Sequence, residues 1–136
     1  MSKEKRELSS NEYKEACENV RHFSNSLATI ITLFITTFSG LVAFGFQEAS
    51  TSSPAQFFMR IGGIISTILF WGLAERTSSY WRHFSKRAGE LESVLGFQLH
   101  SERPKTSFPF LSTMFTSRVL FVVVLVFWIF ALIALP

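Results

Sequence analysis

Three long apolar stretches constrain this chain more than any other feature of its sequence. They cover residues 27–46, 57–74 and 115–135, and only Arg60 and Arg118 carry a charge within them. Each stretch is close to the about 20 residues that an α-helix needs to cross the hydrocarbon core of a bilayer. The sequence therefore predicts an all-α membrane protein with three transmembrane helices.

The composition agrees with this prediction. Hydrophobic residues make up 48% of the 136 positions and charged residues 17%, which is too little charge to cover the surface of a soluble domain of this size. The net charge of +3 is too weak to indicate a nucleic-acid partner. The only cysteine, Cys17, cannot form a disulfide within the chain.

We expect a single membrane domain that covers residues 1–136. The third span has almost no polar side chains, so its surface is expected to face lipid. The predicted segments, in chain order, are a cytoplasmic arm (9–26), the first span (27–46), an outer loop (47–56), the second span (57–74), a cytoplasmic helix (75–96), a cytoplasmic loop (97–113) and the third span (115–135).

The distribution of basic residues predicts the orientation of the chain. Twelve of the thirteen Lys and Arg residues lie before the first span, between the second and third spans, or at Arg118. The positive-inside rule then places the N-terminus inside and the C-terminus outside a bacterial inner (cytoplasmic) membrane. The predicted interfacial anchors near the ends of the spans are Arg21, His22, Arg60, Arg82, His83 and Arg118.

Helical stripes continue beyond the first two spans. Apolar residues recur at spacings of 3 and 4 before the first span and after the second. We expect helices over about 10–47 and 56–96, and Gly96 is the predicted C-cap of the second. Together the two helices form a long antiparallel hairpin that extends into the cytoplasm. The hairpin brings Glu15 near Arg87. The predicted seam of this hairpin consists of Tyr13, Val20, Phe23, Trp81, Phe84, Leu91 and Leu95.

The quartet Arg-His-Phe-Ser occurs twice, at 21–24 and at 82–85. The hairpin places both copies at one level, just inside the cytoplasmic interface. In one interpretation they are interfacial anchors, whose Arg and His side chains meet lipid phosphates. In the other, His22, His83 and Cys17 form a metal site. The first interpretation is favoured, because the second supplies three ligands at most and lacks the short ligand spacing of metal motifs.

Small and hydroxyl-bearing residues interrupt the apolar surface of the first two spans. They let membrane helices approach closely, so one interpretation is that they pack the two spans together. The other is that the hydroxyls line a pore made by several copies. The absence of an ionisable residue in mid-span favours the packing interpretation. Both interpretations hold if one stripe packs within the chain and the other faces neighbouring copies. The candidates are Thr29, Thr32, Thr36, Ser39, Gly40, Gly62, Gly63 and Ser66.

No sequence motif typical of a hydrolase, a metal site or a phosphate-binding loop occurs. The sequence therefore predicts a protein that is not an enzyme and that holds no cofactor or metal. The predicted cytoplasmic surface is basic and bears aromatic residues, which suits anionic lipid, a protein, a nucleotide or RNA. The predicted partners are the lipid membrane, further copies of the chain, and a cytoplasmic protein or signalling molecule, and no feature specifically indicates nucleic acid.

The segment ERTSSYWRHFSKRAGELESVLGFQ follows the glycine-containing second span. It resembles the charged helix that follows the spans of SLATT-type proteins, which are small bacterial membrane effectors associated with anti-phage defence. The third span departs from that pattern. The resemblance implies oligomerisation and membrane permeabilisation triggered by a partner or signal. The leading hypothesis is a pore-forming or membrane-disrupting effector, and the alternatives are a non-catalytic anchor or assembly subunit of a larger complex and a holin-like protein.

Overall fold

The structure, a computed structural model, describes residues 3–46, 54–96 and 113–134. Three α-helices account for nearly all of them: α1 (Lys3–Gly45), α2 (Pro54–Leu95) and α3 (Thr113–Ala134). No strand occurs in these ranges, so the predicted all-α fold is confirmed. Most of the predicted outer loop and cytoplasmic loop lies outside the described residues.

All three helices are long and apolar enough to cross a membrane. The helices α1 and α2 contain 43 and 42 residues. At about 1.5 Å per residue each is on the order of 65 Å long, roughly twice the thickness of the hydrocarbon core. Each of these two helices therefore has an apolar part of membrane length and a further polar part.

Local chemistry accounts for both ends of α2. Pro54 occupies its first position, where the missing N–H costs no helical hydrogen bond. Gly96 follows its last residue with a φ of 79°, and its N–H donates to the carbonyl oxygen of Glu92 at 2.9 Å. A positive φ is accessible to glycine without strain. The C-cap predicted at Gly96 is confirmed.

The chain divides into two compact units. The polar unit consists of Met1–Ala28 and Glu75–Ser107, and the apolar unit consists of Thr29–Ala74 and Phe108–Pro136. Within the polar unit, Ala16, Val20, Ala88 and Leu91 are buried. The ring of Phe23 stacks on Tyr80 and on Phe84, with centroids 5.4 and 5.6 Å apart. These side chains form the core between the polar parts of α1 and α2.

Two polar contacts join α1 and α2 further along the polar unit. The Tyr13 hydroxyl donates to Oε1 of Glu92 at 2.9 Å. Nε and Nη2 of Arg87 donate to Oε1 of Glu12 at 2.8 and 2.6 Å. Arg87 therefore bonds Glu12, about one turn before the Glu15 that the sequence suggested, and its guanidinium also donates to Glu90 on its own helix at 3.3 Å.

Aromatic side chains fill the core of the apolar unit. Phe34, Phe121 and Trp128 are almost completely buried. The ring of Phe34 lies 4.7 Å from Phe121 and 5.6 Å from Phe70. The rings of Trp71 and Phe121 are parallel to within 5°. Contacts of this kind between large rings stabilise the unit by van der Waals packing, which is the main attraction available between helices in lipid.

One stripe of α3 belongs to this core, which corrects the expectation that the whole third span faces lipid. The stripe follows helical spacings of 3 and 4, and its five members are buried. After Arg118 every residue of α3 is apolar, so no hydrophobic periodicity separates the packed face from the lipid-facing one, and the sequence could not reveal the stripe. Its members are Ser117, Phe121, Val124, Trp128 and Ala131.

Candidate functional site

The outward side of α1 in the apolar unit carries a stripe of hydroxyl-bearing and small residues. Thr29, Thr32, Thr36 and Ser39 follow one another at spacings of 3, 4 and 3, and all four are exposed. Ala43 extends the same line and is also exposed. On the opposite side of the helix, Phe34 is buried in the core. We call these five outward residues, together with the adjacent Gly40, the hydroxyl face.

The other two helices of the apolar unit have different outward surfaces. Most of their exposed side chains are large and apolar, as lipid contact requires. The exposed members on α2 include Phe58, Ile65, Ile68, Leu69 and Leu73, and those on α3 include Val119, Val122, Val123, Val126, Phe130 and Ile133. On α1 itself, exposed Leu33, Ile35 and Phe44 flank the hydroxyl face, which is therefore a narrow polar stripe within an otherwise large and apolar membrane-length surface.

One hydroxyl of the face shows how such a group is accommodated in an apolar environment, since it bonds within the helix. The Thr36 hydroxyl donates to the carbonyl oxygen of Thr32 at 3.0 Å. Such a bond to the preceding turn satisfies the hydroxyl hydrogen and leaves an oxygen that accepts a further hydrogen bond. Gly40 leaves open space beside it, since an added Cβ would meet no atom within 4 Å. A second helix can approach the face closely at this point.

The small residues of α2 lie in a different environment. Gly63 is covered by the indole of Trp128, and Thr67 is completely buried. The hydroxyls of Thr67 and Ser66 both donate to the Gly63 carbonyl oxygen, at 2.7 and 3.1 Å. Gly62 has open space beside it. One interpretation of the sequence packed the small residues of α1 against those of α2, but in the structure the two sets lie in different places. The set on α1 faces outward, and most of the set on α2 lies within the unit.

The two Arg-His-Phe-Ser quartets meet in the polar unit. Phe23 and Phe84 stack at 5.6 Å with their planes 13° apart. Each histidine makes the same edge contact with the phenylalanine that follows it, His22 with Phe23 and His83 with Phe84, both at 5.4 Å. Both histidines are exposed. The structure therefore brings the two copies to one level of the polar unit.

A metal site at this level finds no support. Among the described residues, no group of three or more His, Cys, Asp or Glu side chains is placed to hold a metal ion, and this includes His22, His83 and Cys17. Cys17 is half-buried one turn from Tyr13. It belongs to the packing around that phenol.

The basic anchors differ in their surroundings. Arg21, Arg82 and Arg118 are exposed, whereas Arg60 is 8% exposed. Nη1 of Arg60 donates to the carbonyl oxygen of Ala131 at 3.2 Å, and its guanidinium lies 5.8 Å from the Phe46 ring. The last carbonyls of a helix lack intrahelical donors and carry partial negative charge, so the end of α3 attracts this cation. Instead of extending to headgroups, the Arg60 side chain is buried against α3.

Sequence reasoning missed Glu92, which is 1% exposed and accepts the Tyr13 hydrogen bond. A glutamate in a charged segment is expected to be exposed to solvent. Nothing in the sequence indicates that its hydrogen-bond partner lies 79 positions away. Burial, followed by side-chain hydrogen bonds to Cys17 and Glu92, raises the pKa of Tyr13. The phenol therefore remains a hydrogen-bond donor well into the alkaline range.

An open groove of about 500 Å³ also lies in the polar unit. Three of its seven lining residues are glutamates, and Arg87 of the same lining bonds two of them, Glu12 and Glu90. The pKa of Arg87 is raised, first by the hydrogen bond to Glu12 and then by that to Glu90. The groove is lined by Glu12, Glu15, Ala16, His83, Phe84, Arg87 and Glu90.

Comparison of the chain with protein-family models, with curated proteins and with solved structures finds no match. The fold defines an all-helical protein with three membrane-length helices, and its surfaces provide the basis for a functional proposal.

Proposed function

We propose that this chain is a small integral protein of the bacterial inner membrane that self-associates through the hydroxyl face of α1 and acts as a pore-forming or membrane-disrupting effector. The observation that carries the proposal is the outward position of Thr29, Thr32, Thr36 and Ser39 on a helix of membrane length. A single copy surrounded by lipid gains nothing from hydroxyl groups on that surface. Several copies arranged around it gain both close packing and hydrogen bonds.

The hydroxyl face suits a water-filled path between copies. Hydroxyl oxygens hydrogen-bond to water without the high cost of placing a charge at membrane depth. The face also runs along much of the span, from Thr29 to Ala43. Close contact at Gly40 brings neighbouring copies together, and the hydroxyl groups beside it then line the path.

The proposed topology places the N-terminus inside and the C-terminus outside, with the polar parts of α1 and α2 forming an antiparallel hairpin in the cytoplasm. What supports the hairpin is the order of contacts in the polar unit: Tyr13 meets Glu92, whereas Phe23 meets Tyr80 and Phe84. As the residue number rises along α1, the number of the contacting residue on α2 falls, which is the order expected of antiparallel helices. The orientation rests on the positive-inside rule.

The effector role rests on the resemblance of the segment after the second span to SLATT-type proteins. The proposed role in anti-phage defence rests on the same resemblance. In that role the cytoplasmic hairpin receives the trigger, and the spans permeabilise the membrane.

Dye release from liposomes tests the pore. The purified full-length chain is reconstituted at increasing protein-to-lipid ratios, and release of a small fluorescent dye is recorded. We expect leakage that rises steeply with protein density, because assembly requires several copies. The variant Thr32→Val/Thr36→Val keeps side-chain shape and removes two outward hydroxyls, and it is expected to reduce leakage several-fold.

Ser66→Ala is the matched control. It removes a half-buried hydroxyl of α2 that bonds to the Gly63 carbonyl oxygen and lies outside the hydroxyl face, so leakage should match that of the unaltered chain. Liposomes that stay intact at every protein density would contradict the pore. A monomer that co-purifies with a second membrane protein would favour the anchor or assembly subunit instead.

A further inference from the structure

The basic residues of the polar unit fall into two groups. Arg87 is bonded to Glu12 and Glu90, so its charge is neutralised within the protein. Arg21, Arg76 and Arg82 are exposed and form no ion pair within the described part of the chain. The Arg76 guanidinium lies 5.9 Å from the Tyr80 ring, and Nη2 of Arg82 donates to the Ser79 hydroxyl at 3.3 Å.

The sequence zone around these arginines is poor in carboxylates, with Glu18 and Glu75 at its borders. No Asp or Glu occurs in residues 19–28 of α1 or in residues 76–89 of α2. The stack of Phe23 on Tyr80 and Phe84 holds these two segments side by side. We call the exposed cationic and imidazole side chains of this zone the basic belt, and its members are Arg21, His22, Arg76, Arg82 and His83.

The belt is close in sequence to both apolar stretches. Arg21 lies six residues before the first stretch at Leu27, and Arg82 lies eight residues after the end of the second at Ala74. These separations correspond to about 9 and 12 Å along a helix. The headgroup layer of each leaflet is roughly 5–8 Å thick, and arginine side chains extend toward it. Tyr80 and Trp81, residue types enriched at membrane interfaces, occupy the same level.

We propose that the basic belt binds the phosphate groups of anionic phospholipids in the leaflet that it faces. Guanidinium groups match phosphate oxygens in geometry as well as in charge, and the belt offers three of them that form no ion pair within the described residues. This proposal rests on the membrane insertion proposed above and not on self-association.

The test measures lipids retained by the full-length chain. The protein is purified in mild detergent, incubated with equal amounts of phosphatidylglycerol and phosphatidylcholine, and analysed by native mass spectrometry. We expect phosphatidylglycerol to be retained preferentially. Because one cation near an anionic surface contributes about fivefold, Arg21→Gln/Arg82→Gln should reduce that preference on the order of tenfold or more.

The matched control is Arg6→Gln/Lys14→Gln, which removes the same charge from exposed positions on α1 outside the belt. Its lipid preference should be unchanged. The conservative variant Arg21→Lys/Arg82→Lys should restore part of the preference. Equal retention of both lipids by the unaltered chain, or equal losses in the two glutamine variants, would overturn the proposal. Displacement of phosphatidylglycerol by co-purifying nucleic acid or acidic protein would overturn it as well.

The same spectra separate this proposal from self-association. A monomer that retains phosphatidylglycerol supports the lipid site and contradicts the pore. An oligomer without lipid preference supports self-association and contradicts the lipid site.

Discussion

The indole ring of Trp128 lies so close to the backbone of Gly63 that no side chain fits between them. Trp128 is completely buried and approaches Phe38 and Phe46 as well. Through this contact a large side chain of α3 fills the space that a missing side chain leaves on α2. Small-to-large complementarity of this kind holds helices together in lipid, where burial of apolar surface provides no drive.

Gly63→Ala should therefore destabilise the protein. An added methyl group would overlap the indole ring, and overpacking of this kind costs about 1–3 kcal/mol. The measurement is the temperature at which the detergent-solubilised chain loses its monodisperse peak in size-exclusion chromatography. The neighbouring Gly62→Ala is the control, because it meets no atom and alanine favours a helix. Equal stability of the two variants would refute the packing of α3 on Gly63.

The pairing of Tyr13 with Glu92 predicts a pH dependence. Because the folded chain raises the pKa of Tyr13 above its ordinary value near 10, the contribution of this phenol to stability is present below pH 10 and is lost as the pH rises further. The chain has two tyrosines, so the variant Tyr80→Phe leaves Tyr13 as the only phenol. Its phenolate absorbance near 295 nm should appear well above pH 10.

Adding Glu92→Gln to that variant provides the control. It removes the carboxylate that accepts the hydrogen bond while burial remains, so the absorbance should appear at lower pH than with Glu92 but still above the ordinary range. Ionisation of Tyr13 at its ordinary pKa in the presence of Glu92 would mean that the phenol is not held against the carboxylate.

The orientation is testable with single cysteines in a Cys17→Ala background. Ser10→Cys lies on an exposed position of α1 in the polar unit, and Ser52→Cys lies in the predicted outer loop. A membrane-impermeant maleimide should label position 52 in intact spheroplasts and position 10 only in inverted vesicles. The opposite pattern would reverse the orientation that the basic residues predict.

The sequence was sufficient to predict the helices but not which of their faces are buried in the apolar unit. A run of apolar residues of membrane length specifies a helix by itself, and Gly96 marks the end of α2 through its conformational freedom. The predicted starts and ends differ from the structure mainly at the N-terminus, where α1 begins at Lys3 instead of near residue 10. Helix-forming residues such as Lys, Glu and Arg extend that helix before the apolar stripe begins.

Side-chain environments required tertiary contacts. The burial of Glu92 depends on a tyrosine on another helix, and the burial of Trp128 depends on a glycine in α2. The small residues of α1 and α2 look alike in sequence, and only the position of each helix in the apolar unit shows that Thr36 faces outward and Thr67 inward. Polarity alone carries no such information inside a membrane.

The mass of the full-length chain in nanodiscs or mild detergent, determined by light scattering, tests self-association through the hydroxyl face most directly. Gly40→Leu adds a bulky side chain beside that face, and Gly72→Leu adds the same side chain to the exposed surface of α2. An added Cβ at either glycine meets no atom of the described residues within 4 Å. The account predicts a defined homo-oligomer for the unaltered chain and for Gly72→Leu, and a smaller species for Gly40→Leu. A monomeric unaltered chain, or an oligomer that Gly40→Leu leaves intact, would contradict it.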